Sequence, residues 1–329
     1  MKILHLVHWK KSGIYVAAAA LKAEGQKHGD THDIIVLRED SSLRSSIISI
    51  LSLIQFIFKA NLSSYDRVNL HSFLPYLSSF FCFGGKTVLF FHSNYPFLKG
   101  RTTKDKIKLL LTQLSNKKRR PIAVSNIVKQ CVDEALNVDC KILYNIIKHH
   151  TTDNHPSSVI HLGAAGRFDP EKRFIELTEK FITSNSNCTL HLAGDGKLLE
   201  KAVLYSKENA PNKVVFHGRQ SSMENFYQMI DAYICCSEFE GFGLVIAEAM
   251  IYGKIIISTK VGILCENIGF KFLEINSDLS NLSETIISAG KMKPNEIIEM
   301  VNTNRKLLKD HFTDSSIYNS FKQQQLEII

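Results

Sequence analysis

Short apolar runs recur along this chain between amphipathic or polar segments, a spacing that predicts strands alternating with helices. Ile3 to Val7, Asp33 to Leu37, Asp66 to His71, Lys86 to His92, Pro121 to Ser125 and Lys141 to Tyr144 form a first set of predicted strands. Val159 to Ala165, Thr189 to Ala193, Lys213 to Phe216, Ala232 to Cys236 and Ile255 to Ser258 form a second. Between the sets, His149 to Ser158 is polar and aperiodic and contains Pro156, which marks a linker. Lys10 to Gly13 predicts a turn leading into an alanine-rich helix over Tyr15 to Lys27. The expectation is an α/β protein of two βα-alternating domains, 1–150 and 159–313, with a cleft between them and a final helix at about 314–329. The full length of 329 residues suits two domains of ordinary size.

One segment breaks the rhythm. In Ser41 to Ala60 the polar residues recur at Ser45, Ser49, Ser52, Gln55 and Lys59, a narrow polar stripe on a helix otherwise made of Ile, Leu and Phe. Its uncharged run, Ser45 to Phe58, is too short to span a bilayer. A helix wedged between a sheet and another helix accounts for it, and so does an in-plane membrane contact.

Charge sharpens that choice. Residues 1–150 carry a net +12 and the remainder −4, within a chain total of +8. Lys99, Arg101, Lys104, Lys106 and Lys108, then Lys117, Lys118, Arg119 and Arg120, flank the apolar Ile107 to Leu111. Such a run is commonly a solvated helix face, but beside the Ser-striped helix it suits anionic lipid headgroups or a phosphate-bearing acceptor. No nucleic-acid-binding motif accompanies it.

The hydrophobic fraction of 44% and a mean hydropathy of −0.04 argue against a multi-span membrane protein. The first apolar run precedes Lys10 and Lys11, the reverse of a secretory signal, and so predicts a buried strand. Seven irregularly spaced cysteines match neither a disulfide framework nor a zinc pattern, which fits a reducing cytoplasm.

The richest candidate chemistry lies in Glu240-Gly241-Phe242-Gly243-Leu244-Val245-Ile246-Ala247-Glu248, between two predicted strands. That order, strand, glycine loop, helix, strand, is a βαβ unit whose loop faces the carboxyl edge of a parallel sheet, where open α/β folds bind ligands. Gly241 and Gly243 let backbone approach a ligand, and the first amides of the helix suit phosphate. The acceptor-only carboxylates of Glu240 and Glu248 suit paired sugar hydroxyls. A helix cap and turn would use much the same residues. His92, after the fourth predicted strand, is a candidate for substrate hydroxyls or a histidine bonded to nearby backbone. Gly13 gives room for a phosphate or sugar but falls short of the GxGxxG dinucleotide pattern, so no nicotinamide site is read there.

Several blocks of the second half, in order, resemble the nucleotide-sugar-binding domain of glycosyltransferase family 4, retaining enzymes of the GT-B fold. Gly166-Arg167-Phe168-Asp169-Pro170-Glu171-Lys172 is similar to that family's Gly-Arg…Lys block, Gly194-Asp195-Gly196 to its Gly-Asp-Gly turn, and Val215-Phe216-His217-Gly218 to its Phe-x-Gly strand end. Glu240 to Glu248 resembles its Glu-x7-Glu signature. The similarity covers about residues 159–268 and is looser in the first half.

The resemblance implies two Rossmann-like domains, with the last helix crossing back to the first. It implies that Arg167 and Lys172 bind the donor diphosphate, a role two cations can fill by neutralising charge that builds as the sugar leaves. It also implies that Glu240 holds the donor sugar, Glu248 the ribose, and Gly166, Phe242, Gly243 and Leu244 the donor's surroundings. Gly218, Arg219 and Gln220 would border the base, and His92 would lie near sugar and acceptor. No metal or cofactor is expected beyond the nucleotide sugar. Departures occur at Ile263-Leu264-Cys265 before Glu266, at Ser12-Gly13, and at Ile146-Ile147.

The expected activity is retaining transfer of a sugar from a nucleotide diphosphate sugar to a hydroxyl acceptor, a lipid-linked saccharide, in bacterial surface polysaccharide (O-antigen, capsule or lipopolysaccharide) synthesis. The expected place is the cytoplasm, peripheral on the inner membrane face. A nucleotide-sugar epimerase on the same architecture and a non-catalytic binding subunit are the rivals.

Overall fold

A computed structural model describes the chain apart from residues 11, 39–52, 54–61, 81–85, 94, 117–120, 149–155, 157, 185, 221 and 328–329. The chain divides into two units: Met1–Ile147 with Phe312–Ile329, and Lys148–His311. Apart from Leu53, which is helical and buried, the Ser-striped segment lies outside the described residues, as do Lys117 to Arg120.

The first unit holds a six-stranded parallel sheet in the order β2-β1-β3-β4-β5-β6. Its strands are β1 (Lys2–Trp9), β2 (Thr31–Arg38), β3 (Arg67–His71), β4 (Thr87–Phe91), β5 (Ile122–Ala123) and β6 (Lys141–Ile142). The inner strands read as near-continuous apolar runs because helices cover both faces of a parallel sheet; every residue of β4 is buried. Helix α1 (Gly13–Lys27) starts two residues earlier than its apolar pattern suggests, because Ser12 caps it by accepting from the Tyr15 amide. The chain's last helix, Asp314–Leu326, belongs to this unit. Its Gln325 carbonyl accepts from Arg67 Nε at 2.6 Å, and Gln324 donates to the Ile142 carbonyl at 2.9 Å.

The second unit repeats the plan, in the order β12-β11-β10-β7-β8-β9. Its strands are β7 (His161–Ala165), β8 (Thr189–Ala193), β9 (Val214–Gly218), β10 (Ala232–Cys235), β11 (Ile255–Thr259) and β12 (Leu273–Ile275). One core of Leu162, Leu190, Leu192, Ile234, Ile255 and Ile257 with Phe168, Phe174 and Phe181 fills the space beneath its helices. The sequence pattern missed β12, whose three residues include an exposed Glu274 and offer no apolar run. The 18-residue helix Pro294–His311 carries Pro at its first position, Glu296 in the first turn and Lys309 and His311 in the last, the charge order that a helix dipole favours. Both sheets are Rossmann-like, and the architecture is GT-B. Among the described residues no helix is long and apolar enough to cross a membrane.

Candidate functional site

In the second unit the chain builds outward from β7 through β8 to β9, then returns to lay β10, β11 and β12 on the other side of β7. Loops leaving β7 and β10 therefore diverge, opening the crevice at a switch point where α/β sheets bind ligands. The two best-supported candidates from the sequence meet at this point. Lys172 Nζ, on the loop after β7, lies 2.6 Å from Glu240 Oε1, on the loop after β10. Glu240 Oε1 also accepts from Ser237 Oγ at 2.8 Å. A backbone bond from the Glu238 amide to the Glu171 carbonyl, 2.9 Å, ties the same two loops together.

Burial works against the charge on Lys172, but the neighbouring Glu240 carboxylate outweighs it and raises the lysine's pKa. Lys172 thus stays charged, and the two side chains are only 19% and 12% exposed. A cation so held is fixed in place before any anion arrives, so little reorganisation is needed to bind one.

The glycine loop then turns into the helix Leu244–Ile251. Gly243 is its N-cap with φ at +78°, a left-handed conformation that costs a side chain dearly, and having no side chain it leaves the first-turn amides uncapped. Gly262, after β11, presses against this loop. A Cβ there would sit 2.6 Å from the Phe242 carbonyl oxygen and 3.1 Å from Glu240 Cβ. The Ile263 amide donates to that same Phe242 carbonyl at 2.7 Å, so the loop after β11 holds the glycine loop from behind.

One turn into the helix, Glu248 accepts from the Tyr227 hydroxyl at 2.8 Å. Burial raises its pKa, partly offset by that hydrogen bond. Arg167 stands at the start of the Lys172 loop, half exposed, and pairs with Asp169 at 2.9 Å and more loosely with Glu171 at 3.8 Å. Gly166 follows β7 and its amide donates to the Ala193 carbonyl. Gly218 ends β9, Arg219 lies 3.8 Å from Asp195, and the Gln220 amide donates to the His217 carbonyl at 2.8 Å. Glu248 and Tyr227 lie on helices and Gly218 ends a strand, while Gly166, Arg167, Arg219 and Gln220 sit on loops at the carboxyl edge of the second sheet. A hollow of about 400 Å³ lies at the ends of β10, β11 and β12, lined by Ser237, Thr259, Lys260 and Asn276 among others; Ser237 links it to Glu240, but none of the site residues expected from the sequence lines it.

Gly13 and His92 belong to the first unit. Gly13 opens α1 with open space where a Cβ would stand. His92 follows β4, its Nε2 2.8 Å from His71 Nδ1, and burial pushes its pKa down to about 3.

Sequence reasoning missed Ser237 and Tyr227, which set the hydrogen bonds of Glu240 and Glu248. Ser237, three residues before Glu240 at a strand end, left a local signal. Tyr227 lies 21 residues from Glu248, so no local pattern could reveal it. Among the described residues no cluster of His, Cys, Asp or Glu is arranged to hold a metal ion.

The chain is 29% identical over 126 residues to the lipopolysaccharide 1,6-galactosyltransferase of Salmonella typhimurium, a stretch that is 35% of each protein's length. The sucrose-phosphate synthase of Thermosynechococcus elongatus superposes with a TM-score of 0.82 at 16% identity, covering 100% of this chain and 99% of that one. Anabaena HepE, solved in complex with UDP, superposes with a TM-score of 0.76 at 16% identity, covering 99% of this chain and 100% of the other. Residues 148–307, the span that carries the Lys172–Glu240 pair and the glycine loop, match the family of glycosyl transferases group 1.

Proposed function

We propose that this protein is a retaining glycosyltransferase that moves a sugar from a nucleotide diphosphate sugar to a saccharide hydroxyl, in the synthesis of lipopolysaccharide or a related surface polysaccharide. The observation that carries the reading is the close Lys172–Glu240 pair beside a helix start with no side-chain cap at the switch point of the second sheet. In this reading Lys172 and Arg167 take the donor's diphosphate, exchanging their carboxylate partners for phosphate oxygens, and steady the charge left as the glycosidic bond breaks. The Gly241 to Leu244 backbone approaches the donor, Glu240 holds the sugar and Glu248 the ribose. Gly166 and the Gly218 to Gln220 loop border the nucleotide, while Gly13 and His92 serve the sugar and the acceptor. Fixed cations and amides do the work of a metal, so no metal is required.

The lipopolysaccharide 1,6-galactosyltransferase relatives and the UDP bound to HepE support a uridine nucleotide and a lipopolysaccharide saccharide. An acceptor of that kind is lipid-linked, and the helix Thr103–Ser115 suits a membrane surface. It buries Thr112 and Ser115 and exposes Ile107, Leu110 and Leu114, 50–55% accessible, among Lys104, Lys106 and Lys108.

Thermal-shift screening of UDP-, GDP- and ADP-sugars, followed by transfer to lipopolysaccharide core acceptors, tests the reading. Stabilisation by one donor class and acceptor-dependent product are expected. Conversion of the donor without acceptor would make the protein an epimerase, and indifference to every nucleotide sugar would leave a binding subunit.

A further inference from the structure

Four histidines form a continuous row through the first sheet. His32 Nδ1 lies 2.9 Å from His5 Nε2, His5 Nδ1 3.0 Å from His71 Nε2, and His71 Nδ1 2.8 Å from His92 Nε2. They occupy or follow β2, β1, β3 and β4, the order in which those strands lie side by side. The registers explain the contact. His32 pairs with Ile3, His5 with Asn69 and His71 with Phe90, so each next histidine stands two residues further along its own strand. A step of two keeps the rings on one face of the sheet. His5 and His71 are completely buried, and His32 nearly so.

The far end is anchored. His32 Nε2 lies 2.8 Å from the Tyr318 hydroxyl, and that hydroxyl donates to Asp30 Oδ2 at 3.0 Å. Burial disfavours the Asp30 charge, but hydrogen bonds from the Met1 amino group, Lys322 and Tyr318 more than compensate and hold its pKa low. An ionised carboxylate only accepts.

Every link then has one direction. Tyr318 spends its single proton on Asp30, so its oxygen accepts from His32 Nε2–H. Burial pushes His5 and His71 well below the usual imidazole pKa and His32 to about 4, so each ring is neutral and carries one N–H. With its proton on Nε2, His32 accepts at Nδ1 from His5 Nε2–H, His5 from His71 Nε2–H, and His71 from His92 Nε2–H.

We propose that Asp30, Tyr318, His32, His5 and His71 are positioning residues that hold His92 in its Nε2–H tautomer, leaving Nδ1 as a hydrogen-bond acceptor for a saccharide hydroxyl. The identity of that hydroxyl rests on the glycosyltransferase reading; the tautomer does not. A ring free to swap tautomers would offer an N–H donor part of the time, and a hydroxyl held by its oxygen is not oriented for attack. A carboxylate 3 strands away thereby decides which atom of His92 meets the acceptor.

The test is the ring-nitrogen NMR spectrum of the full-length protein labelled with 15N-histidine. Nε2–H and bare Nδ1 are expected at all four histidines, with through-hydrogen-bond couplings linking each Nε2 to the next Nδ1. A proton on Nδ1 of His92, or one reversed link, overturns the proposal with no variant needed. Tyr318→Phe should leave His92 a mixture of tautomers and lower kcat at least about tenfold with the donor KM unchanged. Backbone amide resonances of β1, β3 and β4, in the same unit as Tyr318, serve as the folding control. An unchanged His92 spectrum in a folded Tyr318→Phe protein also overturns the proposal. A wild-type protein that shows the expected tautomers but transfers no sugar would instead sink the assigned activity and leave the chain standing.

Discussion

Lys172 Nζ and Glu240 Oε1, 68 residues apart in sequence, stand 2.6 Å from each other and join the loops that leave β7 and β10. The backbone bond from the Glu238 amide to the Glu171 carbonyl joins the same two loops. The pair is therefore part of the scaffold as well as of the proposed donor site, and the two roles separate on mutation.

Lys172→Ala strands a mostly buried carboxylate, a change that costs about 3 kcal/mol or somewhat less given the residual exposure. Urea unfolding should show that loss together with loss of nucleotide-sugar binding. Glu240→Gln keeps the shape and a hydrogen-bond acceptor for Lys172 but removes the lysine's counter-charge. It should also lower stability, by no more than Lys172→Ala, while transfer, followed with a radiolabelled donor, falls at least about a hundredfold. Wild-type transfer by Glu240→Gln would remove Glu240 from the sugar site.

Glu248 makes stability depend on pH in a particular sense. Its folded pKa lies above the unfolded value of about 4.3, so the folded state holds the proton more tightly. Ionisation therefore subtracts stability as pH rises through the unfolded value, and the loss is complete above the folded pKa. Glu248→Gln removes that penalty while retaining an acceptor for Tyr227. Its melting temperature should exceed that of wild type near pH 7 and converge with it towards pH 4, and its affinity for nucleotide should be weaker. A gap that widened on acidification would contradict the assignment.

Gly262→Ala asks whether the loop after β11 shapes the donor site. The added methyl meets the Phe242 carbonyl at 2.6 Å in a backbone with φ at +54°, for a combined cost of about 2 kcal/mol. A raised donor KM alongside the lower stability is expected. Lower stability with unchanged KM would confine Gly262 to a packing role.

For the helix Thr103–Ser115, paired substitutions Ile107→Ser and Leu114→Ser remove exposed apolar surface without touching the core. Co-sedimentation with vesicles containing anionic lipid should fall in the variant, and for wild type should weaken as salt rises. Equal sedimentation with zwitterionic vesicles at all salt concentrations would rule out the electrostatic part.

Most of the architecture was legible because parallel strands buried on both faces leave apolar runs, as in Thr189–Ala193, and because Gly and Pro mark their ends. What escaped was either too short to show a period, as with Leu273–Ile275, or non-local. His92 stood out from its position after a strand. His5, His32 and His71 did not, since lone histidines inside apolar strands carry no signal until the strand order brings them side by side. The same holds for Tyr227, whose meaning depends on the carboxylate of Glu248, 21 residues away, that the fold delivers to it.

The second sheet carries a shorter row built by the same rule: His161 Nδ1 is 3.0 Å from His191 Nε2, and His191 Nδ1 is 2.9 Å from His217 Nε2. His161 pairs with Thr189 and His191 with Val215, again a step of two along each strand. Each row survives only while its strands keep register, since a slip of one residue sends a ring to the opposite face. Imidazole resonances thus provide two built-in gauges, one per domain, from which a single denaturant titration would reveal whether the halves melt together or in turn.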